Sequence, residues 1–138
     1  MLSYRINIKK EVIEILKREK IIQIAFNFYG YEYISGGNSF WTGFDCSGFT
    51  QYVYSLAGIK IPRSVKAQYV FFKKIKRKTL KKGDLVFFVG IDGTPSHVGI
   101  YIGKDKFIHA PSPGKRVKVD SLNRKYFKYR FICGGTIF

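Results

Sequence analysis

Apolar residues Val12, Ile13, Leu16, Ile21, Ile24, Ala25 and Phe28 recur at helical steps with Lys and Glu between them, which predicts an amphipathic helix over residues 9 to 29. Gly30 and the small, turn-forming stretch SGGNSFWTG at 35 to 43 then require a loop. Asp45 and Ser47 favour a helix start, Phe49, Val53, Leu56 and Ala57 fall on one face, and Gly58 is a natural stop, so a second helix is expected over residues 46 to 57. Pro62 breaks the chain and Ser64 caps a short third helix over 65 to 72, with Ala67, Val70 and Phe71 inward. Beyond Gly83 the period changes to two and β-branched and aromatic residues take over. Five strands are expected, at 84 to 91, 97 to 102, 106 to 110, 116 to 119 and 129 to 137. Links as short as Asp92-Gly93 and Gly103-Lys104-Asp105 make the first three an antiparallel meander. Helices first and a sheet second predict an α+β fold.

Length and composition narrow the class. A chain of 138 residues, 46% hydrophobic and 17% aromatic, fits one domain (1 to 138) with a single core, and general disorder is excluded. The charge balance, 25 − 9 = +16, attracts polyanions: nucleic acid, acidic lipid or the anionic polymers of a bacterial envelope. It is concentrated in KKIKRKTLKK, which opens on Lys73 and closes on Lys82 and holds seven basic residues in ten. No apolar run approaches the ~18 residues of a membrane span, and the start MLSYRINIKKEVIEILKREK shows no secretory signal peptide. Two cysteines, Cys46 and Cys133, make neither a disulfide framework nor a zinc motif.

With two cysteines and two histidines, placement matters more than number. Cys46 falls on the first turn of the second helix, where free backbone N–H groups favour a thiolate, so a low thiol pKa is expected. His97 opens one strand and His109 lies near the end of the next. A three-residue link at Gly103, Lys104 and Asp105 sets His109 opposite Gly99, which makes His97 its diagonal neighbour on the same face. Gly99 leaves room for the rings. A nucleophile–base–orienter triad of Cys46, His97 and His109 follows.

Six motifs in order then carry a family resemblance: YISGG at 33 to 37, FDCSGF at 44 to 49, IPRS at 61 to 64, KKGDLVFF at 81 to 88, HVGIYIG at 97 to 103 and FIHAP at 107 to 111. Over roughly residues 20 to 137 the chain resembles the NlpC (p-sixty) family of papain-like cell-wall cysteine peptidases. The resemblance implies helices packed on a five-stranded, mainly antiparallel sheet, with the nucleophile at a helix N-terminus. It implies that Cys46 attacks an amide in a peptidoglycan stem peptide, after γ-D-glutamate, through a thioester. His97 is then the base and His109 its orienter. It further implies that Tyr33 lies against the nucleophile, that Asp45 and Ser47 receive the substrate's amino end, and that Arg63 belongs to the binding region. No cofactor and no metal are implied, and the setting is the cell envelope, periplasmic or extracellular. The chain departs from the pattern at Ser35, where tryptophan is common, and in NSFWTG.

Bland readings stand beside these. Taken singly, Cys46 is an apolar filler, each histidine a packed strand residue, Tyr33 a loop aromatic, Arg63 a solvated charge, and Asp45 and Ser47 helix caps. Cys133 is read as a core residue. The run at 73 to 82 is a solvated face or a hold on an anionic envelope polymer. Two functional alternatives remain: an acyltransferase or amidase on the same scaffold, and a basic nucleic-acid-binding module. Strands such as DLVFFV and HVGIYI read as buried and not as stacking platforms, so nucleic acid is not the expected partner.

Overall fold

A computed structural model describes residues 2 to 138. Helix α1 spans Leu2–Phe26, earlier and longer than expected. Its amphipathic character holds only in the second half. Ile21 and Ala25, with Phe28 just beyond, enter the core, whereas Val12, Ile13 and Leu16 are exposed. Arg18 pins the helix down: its guanidinium is 2.8 Å from Asp84 Oδ1 and 3.1 Å from the Lys82 carbonyl, and it is 7% exposed.

The glycine-rich loop contains two short strands, β1 (Asn38–Ser39) and β2 (Gly43–Phe44), paired antiparallel. Helix α2 (Cys46–Leu56) follows at once, and α3 spans Val65–Phe71. The inward face of α3 differs from expectation: Val70 and Phe71 are exposed, and Gln68 is buried. The Gln68 amide explains this, since it donates to the carbonyls of Ser47 and Pro62 and accepts from Thr50 Oγ1 at 2.7 Å. A satisfied amide is tolerated where an apolar residue was expected.

The sheet has six strands: β3 (Lys73–Ile75), β4 (Leu85–Val89), β5 (Pro95–Gly103), β6 (Lys106–His109), β7 (Lys118–Ser121) and β8 (Phe131–Thr136), in the order β3-β8-β4-β5-β6-β7. Every neighbouring pair is antiparallel. The strand beyond the expected five is β3, inside the basic run. It is a short edge strand with exposed Lys73 and Lys74, so its charge hid the period-two signal. A short helix α4 (Lys125–Lys128) precedes β8.

Both sheet faces are covered. Leu85, Phe87, Val98, Ile100 and Ile108 meet the helices through Ile21, Phe49 and Val53, while Val86, Phe88, Tyr101 and Phe107 pack against Leu122 and Phe127. Burying such a side chain contributes ~1.5–3 kcal/mol each, which is why the strands read as continuous apolar runs.

Candidate active site

Two backbone approaches bring the site together. The segment after α1 is clamped on both sides: Gly30 N–H donates to the Val117 carbonyl, Tyr33 N–H to the Lys115 carbonyl, and Ile34 N–H to the Phe44 carbonyl. Tyr33 is thereby held beside the start of α2. The glycine loop also lies directly on α2, so close that a Cβ on Gly48 would stand 2.0 Å from the Gly37 carbonyl oxygen. Only glycine fits there.

Asp45 caps α2, accepting from Gly48 N–H at 2.7 Å through Oδ1, and Cys46 is the first helical residue. The backbone N–H groups of Ser47 and Val98 face the Cys46 sulfur, which places it between the helix start and β5 at the residue after His97. The thiol departs from expectation. Burial, followed by the Asp45 charge, pushes it up to about 11, and the helix N–H groups do not offset this. His97 moves the other way, down to about 3, through burial and then the adjacent His109. Both shifts favour a neutral thiol and a neutral imidazole in the unliganded site.

The two rings share one face, as the register argument required. Ile100 pairs with Ile108 and Tyr101 with Phe107, so His109 falls opposite Gly99. The link itself differs from the expected three residues. Lys104 and Asp105 form a two-residue turn with φ of 51° and 61°, and an irregularity between Tyr101 and Gly103 absorbs the extra residue, which restores the parity. A Cβ on Gly99 would stand 2.8 Å from the Phe107 ring and 3.1 Å from His109 Cβ. His97 Nε2 and His109 Nδ1 are 2.6 Å apart. His109 is completely buried.

Behind His109 stands a residue that sequence reasoning passed over. Asp120 Oδ2 lies 2.7 Å from His109 Nε2, with Arg124 Nη1 3.0 Å from Oδ1 and Lys118 Nζ 3.6 Å from Oδ2. Burial alone would raise the Asp120 pKa, but the His109 hydrogen bond and the neighbouring cations hold it below the usual carboxylate range. Its strand was expected to end at residue 119, one position short. The available signal was the period of two, which puts Asp120 on the same face as Lys118, the register partner of His109.

Tyr33, Asp45 and Arg63 form the other flank. Arg63 grips Asp45 with both nitrogens, at 2.9 Å to Oδ1 and 2.8 Å to Oδ2, and reaches Ser47 Oγ at 3.0 Å. Gly36 N–H adds a fourth contact to Asp45 at 3.2 Å. The structure thus brings Asp45, Ser47 and Arg63 into one cluster whose Asp45 oxygens are both engaged within the protein. The Tyr33 phenol has a raised pKa, through burial and then the nearby Cys46 and Asp45 groups.

A cavity of about 770 Å³ opens beside the histidines, lined among others by Phe88, His97, His109, Lys115, Tyr126 and Arg130. A smaller one of about 210 Å³ lies against Tyr33, between Glu32 and Gly114 to Arg116. Cys133 is free, partly buried and packed against the main core. Among the described residues no helix is long and apolar enough to cross a membrane.

A cysteine at a helix N-terminus packed on an antiparallel sheet that supplies paired imidazoles defines a papain-like α+β protein. Residues 30 to 136 match the NlpC/P60 family profile, and the chain belongs to that family. It is 40% identical over 124 residues to the murein DD-endopeptidase MepH of Escherichia coli, covering 84% of this chain and 46% of the relative. It is 37% identical over 112 residues to the gamma-D-glutamyl-L-lysine dipeptidyl-peptidase of Bacillus subtilis, covering 80% and 38%. The NlpC/p60 domain of the peptidoglycan hydrolase SagA superposes with a TM-score of 0.75 at 36% identity, over 87% of this chain and 98% of that one. The chain spans less than half the length of these two curated relatives.

Proposed function

We infer that this chain is a cysteine peptidase domain that hydrolyses an amide bond in peptidoglycan stem peptides, the bond after γ-D-glutamate. The observation that carries the reading is the hydrogen-bonded His97–His109 pair, 2.6 Å apart, beside a cysteine at a helix start. The printed activities of the relatives, a murein endopeptidase and a γ-D-glutamyl-L-lysine peptidase, support the substrate class.

Because burial favours the neutral forms of both thiol and imidazole at rest, proton transfer in this reading accompanies attack and does not precede it. Cys46 Sγ bonds to the carbonyl carbon as its proton passes to His97, and the backbone N–H of Cys46 meets the oxygen where negative charge develops. The C–N bond then breaks, the amine leaves with the proton held by His97, and a thioester remains. Water attacks the thioester, its proton returns by way of His97 to the thiolate, and the acid product departs. Tyr33, Asp45, Ser47 and Arg63 shape the side of the groove that holds the acyl portion, and the larger cavity lies on the histidine side. The site of action in this reading is the cell envelope.

Mass spectrometry of peptidoglycan and of soluble stem peptides, before and after incubation, tests the reading. The expected products are fragments ending in γ-D-glutamate, absent with Cys46→Ala. Hydrolysis that persists in Cys46→Ala, or fragments from another bond alone, would refute the respective part.

A further inference from the structure

The side chains behind His97 form a series in which each group dictates the proton position of the next. A carboxylate can only accept hydrogen bonds, so the 2.7 Å contact from Asp120 Oδ2 requires a proton on His109 Nε2. A neutral His109 then has its lone pair on Nδ1. The 2.6 Å contact from there to His97 Nε2 is a hydrogen bond only if His97 carries its proton on Nε2. The nitrogen of His97 left bare is Nδ1, the one not occupied by His109. We propose that Asp120 is a positioning residue for the reaction: acting through His109, it locks His97 in the tautomer whose free Nδ1 receives the Cys46 proton.

The surroundings favour this order over its reverse. His109 is faced by His97 from β5, by Lys118 and Asp120 from β7, by Arg124 just before α4, and by the rings of Phe107 and Phe127 with centroids at 4.5 and 5.4 Å. Among the described residues Asp120 is the one hydrogen-bond acceptor that His109 Nε2 meets. Arg124 and Lys118 keep it ionised and fix which way its oxygens point. In turnover the S–H bond breaks and an N–H bond forms at His97 Nδ1, while the Nε2–H to His109 and the Nε2–H to Asp120 stay where they are. Without the carboxylate, both rings are free to reverse, and His97 would present an N–H to the sulfur. A reversed His97 cannot act as base.

The catalytic role rests on the peptidase reading above, whereas the proton positions do not. They can be read directly, because the chain has two histidines and no others. Long-range ¹H–¹⁵N correlation spectra of the unmodified, histidine-labelled chain at pH 7 are expected to show both rings protonated on Nε2 with a bare Nδ1. Either ring protonated on Nδ1 overturns the proposal. In Asp120→Asn, Arg124 retains the amide oxygen, so the NH₂ group faces His109 and both tautomers reverse. Turnover number should then fall by ~10²–10⁴, since the corresponding Asp to Asn exchange in the serine-protease triad costs ~10⁴ through the wrong tautomer, with KM changed no more than a few-fold. Unchanged tautomers, unchanged turnover, or a loss confined to KM in a folded variant would each refute it. If the variant does not fold, the spectrum of the unmodified chain still decides. Absence of hydrolysis by the unmodified chain would remove the peptidase reading and leave the spectral test intact.

Discussion

At the scale of single residues, the site depends on one missing methyl group. Gly99 lies under both rings, and a Cβ there would stand 2.8 Å from the Phe107 ring and 3.1 Å from His109 Cβ. Overpacking of this kind costs ~1–3 kcal/mol. Gly99→Ala is therefore expected to lower unfolding stability by about that amount, and, on the proposed function, to reduce turnover more than the stability loss explains, because the displaced group is a ring of the His97–His109 pair. Urea denaturation beside peptide hydrolysis measures both, and a stable variant with full turnover would contradict the packing argument. A second expectation concerns the thiol. With Cys46 pushed up to about 11 by burial and Asp45, iodoacetamide labelling of the unliganded chain should keep climbing from pH 7 through pH 10. A rate already level at neutral pH would mean that a thiolate–imidazolium pair exists before substrate arrives.

At the scale of elements, α2 opens on Cys46 and its start is built from Asp45. Removing a helix cap costs ~0.5–2 kcal/mol, and here the same carboxylate also holds Arg63 through both oxygens. Asp45→Ala should lose about 1–2 kcal/mol by chemical denaturation, with activity falling as the Cys46 turn frays. A cost near zero would show that the glycine loop alone orders that turn. The same cap explains why α2 was legible in the sequence: Asp45, Gly58 and one apolar face are local signals, and the structure ends the helix within a residue of the expected place. The Ser64 cap did the same for α3, but its buried Gln68 was not legible, because the partners that satisfy it come from distant residues. The parity of His97 and His109 was legible since it needs only alternation and an odd shift, and the bulge after Tyr101 reached the same parity by another route. Asp120 was not, because its role appears only once β6 and β7 are in register across an eight-residue loop. The upward push on the thiol was not legible for a related reason: the helix start is local, whereas burial belongs to the assembled fold.

At the scale of the whole molecule, a buried and a half-buried imidazole and a distant basic edge set how the protein responds to acid and to salt. An unfolded chain protonates each histidine near pH 6.5, while burial holds His97 down to about 3 and keeps His109 below its ordinary value. Between those limits the unfolded state binds more protons, so stability is full above pH 6.5 and declines as pH falls toward 3. Thermal unfolding at pH 7, 5 and 4 should show the decline, and His97→Gln should flatten it; equal slopes would assign it to other groups. The basic run behaves differently. β3 sits at the sheet edge with β8 and β4 between it and β5, three strand spacings of ~4.8 Å from the histidine strand. That exceeds the Debye length of ~8 Å at physiological salt, so its charges barely perturb the chemistry while still acting together on a large polyanion. Part of the run is already engaged, with Arg77 3.2 Å from Asp105, Lys82 3.8 Å from Glu19 and the Lys74 ammonium over the Tyr69 ring. Neutralising Lys73, Lys76 and Lys78, which make no such contacts, should weaken retention on intact cell walls and flatten its salt dependence, while hydrolysis of a short soluble stem peptide stays within about two-fold. A parallel loss of soluble-peptide turnover would place the run at the substrate groove. Binding to DNA that withstands physiological salt would instead make nucleic acid the polymer this edge serves.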